Sequence, residues 1–166
     1  MINAPAIPAN RICFLGSDEF KRIDALMETD FHVSVAQSME CAGLATSELA
    51  KAICATVSSS PKISIMIGKG NNGGDGLIAA AHLKNWGYEV CVYLCHSLSS
   101  YPPLCLNHIH RLQASGIKIK IDSSISKLRK DTFLISSDLI IDGLLGVGLK
   151  GALKAPYIEL IPFLNK

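Results

Sequence analysis

The run Ile63-Ser-Ile-Met-Ile-Gly-Lys-Gly-Asn-Asn-Gly-Gly-Asp-Gly-Leu-Ile-Ala-Ala-Ala-His-Leu83 leaves few folds open to this chain. An apolar stretch of strand length, Ile63 to Ile67, enters a turn built on Gly68, Gly70, Gly73 and Gly74. Helical spacing then resumes from Leu77 to Trp86, with Gly87 at the closing position. Glycines so grouped predict a backbone free to take positive φ and open to a ligand without Cβ interference. The helix behind them aims free N–H groups and its positive dipole end at the turn, which favours an anion. A phosphate-bearing ligand is the expected guest.

The flanking segments say how this unit is used. Pro5, Pro8 and two asparagines predict an irregular lead-in over residues 1–15. Ser17-Asp-Glu19 opens a first helix running to about Thr29. Ser34 and Gln37 form a capping box for a second helix from Val35 to Val57, in which Gly43 marks a close backbone approach. After the central unit come a strand over Tyr88–Leu94 and a helix opened by Pro102-Pro103 and stopped by Gly116. An alternating, half-exposed strand follows at Ile117–Ile121, suited to a sheet edge, then a short helix or bend over Leu128–Ile135 and a fourth strand over Ser137–Asp142. Strands alternating with helices imply parallel pairing and right-handed crossovers. The predicted fold is a Rossmann-like, doubly wound, mostly parallel sheet in three α/β/α layers, preceded by two helices. Ligands of such sheets bind at the carboxyl ends of the strands, so the glycine-rich loops 68–76 and 143–151 are expected to face one site.

Composition narrows the functional classes. With 166 residues, 49% of them hydrophobic, and a net charge of only +2, the chain reads as a single domain without the electrostatic signature of a nucleic-acid or membrane-surface binder. Its six cysteines are scattered through predicted strands and helices, which fits reduced thiols in a cytoplasmic protein, and no apolar run is long enough to span a membrane. Cys105, His108 and His110 do not share one helical face, which disfavours a metal site. Cys91, Cys95 and His96 read as packed groups in and after a buried strand, and His82 as a packed or half-exposed side chain.

Gly68-x-Gly70-x-x-Gly73 matches the dinucleotide fingerprint, but the second strand ends in Leu94-Cys95-His96, where a nicotinamide dehydrogenase carries an acidic residue for the ribose. No Gly-Lys-Ser/Thr follows the glycines, so the phosphate loop of nucleotide triphosphatases is excluded as well. A tight turn with no ligand leaves Asn71, Asn72 and Asp75 unexplained. The run Gly68 to Leu83 resembles the signature of the YjeF N-terminal domain family, the NAD(P)H-hydrate epimerases. Met39-Glu-Cys-Ala-Gly43 resembles the family's Met-Glu-Asn-Ala-Gly helix motif, with Cys41 for Asn. Asp138-Leu-Ile-Ile-Asp142-Gly-Leu-Leu-Gly-Val-Gly148 resembles its strand-and-loop motif, with Val147 for Thr.

That resemblance implies an isomerase of metabolite repair, interconverting the R and S epimers of hydrated NADH and NADPH. Its implied partner is an ADP/ATP-dependent NAD(P)H-hydrate dehydratase, its implied cofactor a potassium ion and its implied assembly a homodimer. Carried onto this sequence, Asn71, Asn72, Gly73, Gly74 and Asp75 would bind the dinucleotide. Gly146, Val147, Gly148, Leu149, Lys150, Gly151 and Ala152 would contact its phosphates, and Asn72 with Asp142 would help hold potassium. Inverting a carbinolamine-type carbon needs a proton acceptor and donor. Asp142, at a strand's carboxyl end, is the first candidate and Asp75 the second, while a turn-capping carboxylate is the plainer role open to Asp142 and a solvated surface lysine that open to Lys150. In the family a further strand with an Ile-Pro-Ser-Gly-Leu-Asp type motif follows the position of Lys166, so the domain is expected to be incomplete at its carboxyl end. The alternative function is a non-catalytic nucleotide-binding or dimerising relative derived by truncation.

Overall fold

A computed structural model of the protein describes residues 15–57, 59–121 and 124–165. The predicted lead-in over residues 1–14, including Cys13, lies outside them. Two helices come first, α1 (Ser17–Thr29) and α2 (Val35–Cys54). The sheet and its crossovers follow as β1 (Lys62–Ile67), α3 (Asn71–Asn85), β2 (Glu89–Leu94), α4 (Pro103–Ala114), β3 (Lys118–Ile121), the single turns α5 (Ile125–Leu128) and α6 (Thr132–Ile135), β4 (Leu139–Gly143) and α7 (Tyr157–Leu164). The four strands pair in parallel in the order β3-β2-β1-β4. The chain therefore reverses direction across the sheet between β1 and β4, the position where doubly wound folds open a crevice at the carboxyl ends of their strands.

Burial explains this arrangement. Ile63, Ile65, Met66 and Ile67 of β1 are fully buried, as are Cys91, Val92 and Leu94 of β2. A strand hidden on both faces reads as a continuous apolar run and belongs in the middle of a parallel sheet. The alternating Lys118-Ile-Lys-Ile121 takes the edge, as its pattern predicts. On one face Ile63, Ile65 and Ile67 pack with Leu77, Ala80 and Leu83 of α3, with α4 through Ile109 and Leu112, and with Ala50 and Cys54 of α2. On the other face Met66, Cys91 and Tyr93 pack with Leu128, Leu134, Tyr157 and Leu160 from α5, α6 and α7.

That second face is held by polar groups as well. Tyr93 donates to Asp131 Oδ1 at 3.0 Å, Lys120 pairs with the other carboxylate oxygen, and Asp131 Oδ1 also accepts from the amides of Phe133 and Leu134, capping α6. Burial pushes the Asp131 carboxyl up, but Lys120, the Leu134 amide and the Tyr93 hydroxyl together hold it below the usual range. Burial pushes the Tyr93 hydroxyl up, reinforced by Cys91, so Tyr93 stays a neutral donor.

Strand β4 runs Leu139–Gly143 where Ser137–Asp142 is predicted, β2 and β3 each start one residue late, and three helix starts or ends differ as well. In α1 the cap position is Gly16, whose amide donates to Glu19 at 2.7 Å, and Ser17 is the first helical residue. Helix α2 begins on the expected capping box, with Gln37 accepting from the Ser34 amide at 2.8 Å, but stops at Cys54. Thr56 and Val57 there bond back to Ile53 and Cys54 in tighter turns. The third difference concerns the glycine loop: α3 starts at Asn71, six residues before Leu77, so Gly73, Gly74, Asp75 and Gly76 are helical.

Candidate functional site

The loops that follow β1 and β4 meet. The Gly68 amide donates to the Gly143 carbonyl at 3.0 Å, and Asn72 Nδ2 donates to the Leu145 carbonyl at 3.0 Å. A Cβ on Gly68 would lie 1.9 Å from the Leu144 carbonyl oxygen, and one on Gly73 would lie 1.9 Å from the carbonyl oxygen of Gly68. On Gly143 it would stand 3.2 Å from the Asn72 carbonyl, and on Gly146 3.2 Å from Asn72 Cβ. The two loops meet as expected and form two walls, linked by the Gly68–Gly143 backbone bond and by the Asn72 side chain.

The glycines reach this arrangement without the positive φ predicted for them. Among the described residues positive φ at glycine occurs only at Gly87, Gly116 and Gly151. Glycine in the first turns of α3 serves close approach instead: Gly74 leaves room for the Met39 thioether of α2, 2.4 Å from where its Cβ would stand, and Gly76 for Ile67 of β1. Gly43 answers from α2, where a Cβ would stand 2.5 Å from Ile78 Cγ2 and 2.8 Å from the Asp75 carbonyl. The motif glycines of α2 and α3 thus bring the two helices and β1 into contact, and this packing fixes where α3 begins. Gly70 at the cap offers no side chain to the first amides of the helix; those of Gly73 and Gly74 turn back to the Gly70 carbonyl at 3.0 and 3.2 Å, which leaves the amides of Asn71 and Asn72 as the ones suited to an anion.

The predicted site residues divide by environment. Gly73 and Gly74 are buried, Asn72 and Asp75 half-buried, and Asn71 exposed. Gly146, Val147, Gly148, Leu149, Lys150, Gly151 and Ala152 are all exposed, in a loop whose one turn is closed by the Leu149 amide on the Gly146 carbonyl at 3.2 Å. Asp142 is exposed at the end of β4, and its Oδ1 accepts from the Leu144 amide at 2.9 Å, the turn-capping role open to it; its second oxygen makes no hydrogen bond among the described residues. Asp75 makes no side-chain hydrogen bond among the described residues. Burial, helped by the Asp24 carboxylate of α1, raises its carboxyl to about 6, within the range suited to moving a proton near neutral pH.

One cluster escaped the sequence reading. His96, two residues past β2, lies 2.7 Å through Nε2 from the Tyr157 hydroxyl of α7. Helix α7 itself was not predicted, because Pro162 inside it argues against a helix and only the Tyr157/Leu160 spacing speaks for one. His82 pairs with Glu40 at 2.8 Å between α3 and α2, half-buried as expected. Among the described residues no group of three His, Cys, Asp or Glu side chains is placed to hold a metal ion, and no helix is long and apolar enough to cross a membrane.

The chain is 33% identical over 159 residues to a protein of Plasmodium knowlesi named NAD(P)H-hydrate epimerase, a match covering 93% of this chain and 51% of that one. It is also 33% identical over 149 residues to the bifunctional NAD(P)H-hydrate repair enzyme Nnr of Moorella thermoacetica, covering 89% of this chain and 28% of the relative. The chain thus spans about half, or less, of the length of these relatives. The crystal structure of the yeast protein ynu0 superposes with a TM-score of 0.78 at 22% identity, over 92% of this chain and 65% of that one, which shows a common fold. The family model for the YjeF-related protein N-terminus matches residues 35–166, from the first residue of α2 onward, and the chain belongs to that family.

Proposed function

We propose that the protein is an NAD(P)H-hydrate epimerase, interconverting the R and S forms of hydrated NADH and NADPH. The observation that carries this reading is the closed junction of the β1 and β4 loops through Asn72 and Leu145, with helix amides on one side and Asp142 on the other. The amides of α3 suit the pyrophosphate, and the exposed 146–152 loop, with Lys150, suits its outer oxygens.

Epimerisation breaks and remakes one C–O bond at a carbon next to a ring nitrogen. A carboxyl group that protonates the departing hydroxyl releases water, the nitrogen lone pair holds the cationic carbon, and water added to the opposite face returns its proton to the carboxylate. Asp142 has a free oxygen for both transfers, and Asp75, raised to about 6, lies in the first turns of α3 as a second proton-carrying group.

The donor set fits a potassium ion. Asn72 uses its amide nitrogen toward Leu145 and retains Oδ1, Asp142 Oδ1 keeps a lone pair beside the Leu144 amide it accepts from, and both are hard oxygen donors. A potassium ion held there would offset negative charge of the substrate. Five free cysteines among the described residues accord with a reducing cytoplasm. The exposed apolar residues Phe20, Ile23 and Leu26 of α1 and Ile140 on the edge strand β4 accord with a homodimer. A dehydratase specific for one epimer would consume the product.

The test is to mix purified protein with the S form of hydrated NADH and potassium and follow the R form, beside an Asp142→Asn variant. Acceleration that falls by about 100-fold or more in the variant is expected. Nucleotide binding without acceleration would sink the epimerase reading and leave a binding protein.

A further inference from the structure

We propose that the corner formed by Lys69, His96 and the serine turn after β2 is a seat for the adenosine 2′-phosphate, so that the site favours hydrated NADPH over hydrated NADH. This rests on the dinucleotide reading above and adds the substrate preference. In a doubly wound sheet the residues just past β2 stand beside the adenosine ribose. An acidic side chain there accepts from a free 2′-hydroxyl and repels a phosphate. Here the strand ends in Leu94 and continues Cys95-His-Ser97, and no Asp or Glu occurs between Glu89 and Asp122. The region that would meet the phosphate therefore carries no acidic residue of its own.

The corner is also built. Ile67, the last residue of β1, accepts through its carbonyl both the Cys95 amide at 3.0 Å and the Tyr101 hydroxyl at 2.9 Å. These bonds bring the start of the post-β2 turn next to Gly68 and Lys69. His96 is half-buried, flanked edge-on by Tyr101 and Tyr157 with ring centroids 6.4 Å and 5.5 Å away. A neutral His96 ring pairs through Nε2 with the Tyr157 hydroxyl 2.7 Å away, which fixes its orientation. Burial and the Lys69 ammonium both push His96 down, in keeping with that neutral form.

Beyond the ring, the hydroxyls of Ser97, Ser99 and Ser100 lie within 3.1 Å of one another in pairs through Ser97, all on exposed residues. One ammonium, one fixed imidazole and three hydroxyls make a set of donors suited to a phosphate dianion. Asp142, by contrast, stands across β1 at the end of β4. A dinucleotide with its phosphorylated ribose at β2 therefore passes the amides of α3 and reaches its reacting ring at the β4 side, the direction the chemistry proposed above requires.

The probes are 2′-phosphoadenosine 5′-phosphate, AMP and inorganic phosphate, titrated into the purified protein by calorimetry alongside epimerisation assays on both hydrated cofactors. The 2′-phosphorylated nucleotide is expected to bind about tenfold tighter than AMP, the worth of one or two charge-assisted hydrogen bonds. Lys69→Gln should reduce that ratio to about threefold or less, and Lys69→Glu should remove it or invert it, both at an exposed position where folding is readily confirmed by circular dichroism. Equal binding of the two nucleotides, or a preference untouched by either variant, overturns the proposal. So does a preference matched by inorganic phosphate alone, since that site would not read the adenosine. Epimerisation with no preference defeats this inference alone. A preference without epimerisation supports the seat and defeats the epimerase reading, and no nucleotide binding at all defeats both.

Discussion

The loops after β1 and β4 are both rich in glycine and both face the crevice, yet they use glycine for opposite ends. Behind β1 the chain is packed tight at Gly68 and Gly73: a Cβ on either would lie 1.9 Å from a carbonyl oxygen, so the obstacle is backbone in both cases. Behind β4 the loop is open. Gly148 and Gly151 have nothing within 4 Å of the place a Cβ would occupy, and Val147 and Leu149 are about half exposed, at 50% and 49%. One wall of the site is set by the core, and the other is packed only at Gly143 and Gly146 and exposed beyond them. A run of glycines in a sequence does not distinguish these cases, because glycine serves both close approach and conformational freedom.

The largest effect expected from this contrast is at Gly73. Gly73→Ala sets a methyl group against the Gly68 carbonyl in a place where neither β1 nor α3 can withdraw, and should cost about 3 kcal/mol or more. Gly148→Ala should stay within about 0.5 kcal/mol. Urea unfolding of the two variants reads the difference directly, and a Gly73→Ala protein as stable as Gly148→Ala would refute the division into a fixed wall and an open one. Next in size is Asn72→Ala, which leaves the Leu145 carbonyl without its donor and unties the two walls. A loss of about 1 kcal/mol is expected, with a larger fall in nucleotide affinity than in stability. Equal losses of both would mean that Asn72 acts only through folding.

The same contrast shows what was legible in the sequence. The β1–α3 wall is written in local patterns: an apolar run for β1, a capping box for α2, and Gly87 in the positive φ of 90° that ends α3 as its position predicts. Parallel pairing, the edge place of β3 and the meeting of the loops followed from the alternation of strands and helices and from the pattern of β3, whereas the full strand order came from the structure. The reason for the glycines did not, because their neighbours are Met39, Leu144 and Ile78, up to 76 residues away in sequence, and no window contains both partners. Helix α7 was hidden by Pro162. His96 is packed, as its place after a buried strand predicts, but the partner that fixes its ring, Tyr157, lies in that unpredicted helix. What the sequence hides at this site is the set of contacts made between the two walls.

The smallest effect sharpens the comparison on the buried side. Asp75 belongs to the packed wall, and burial together with Asp24 raises its carboxyl from 3.8 to about 6. The folded protein therefore holds a proton there that the unfolded chain, near the ordinary carboxylate value, releases at lower pH. With the folded value above the unfolded one, the contribution of this group is fully present below about pH 4 and is lost as pH rises through about 6. Taken at face value the shift is worth about 3 kcal/mol, but Asp75 is only half-buried and water screens it, so about 1 kcal/mol is the expected size. Thermal unfolding of wild type and Asp75→Asn at pH 4.5, 6 and 7.5 should show the variant gaining on the wild type across this interval. Parallel curves would mean that the packed wall leaves Asp75 solvated like a surface carboxylate, and its place as a proton carrier beside Asp142 would fall with that result.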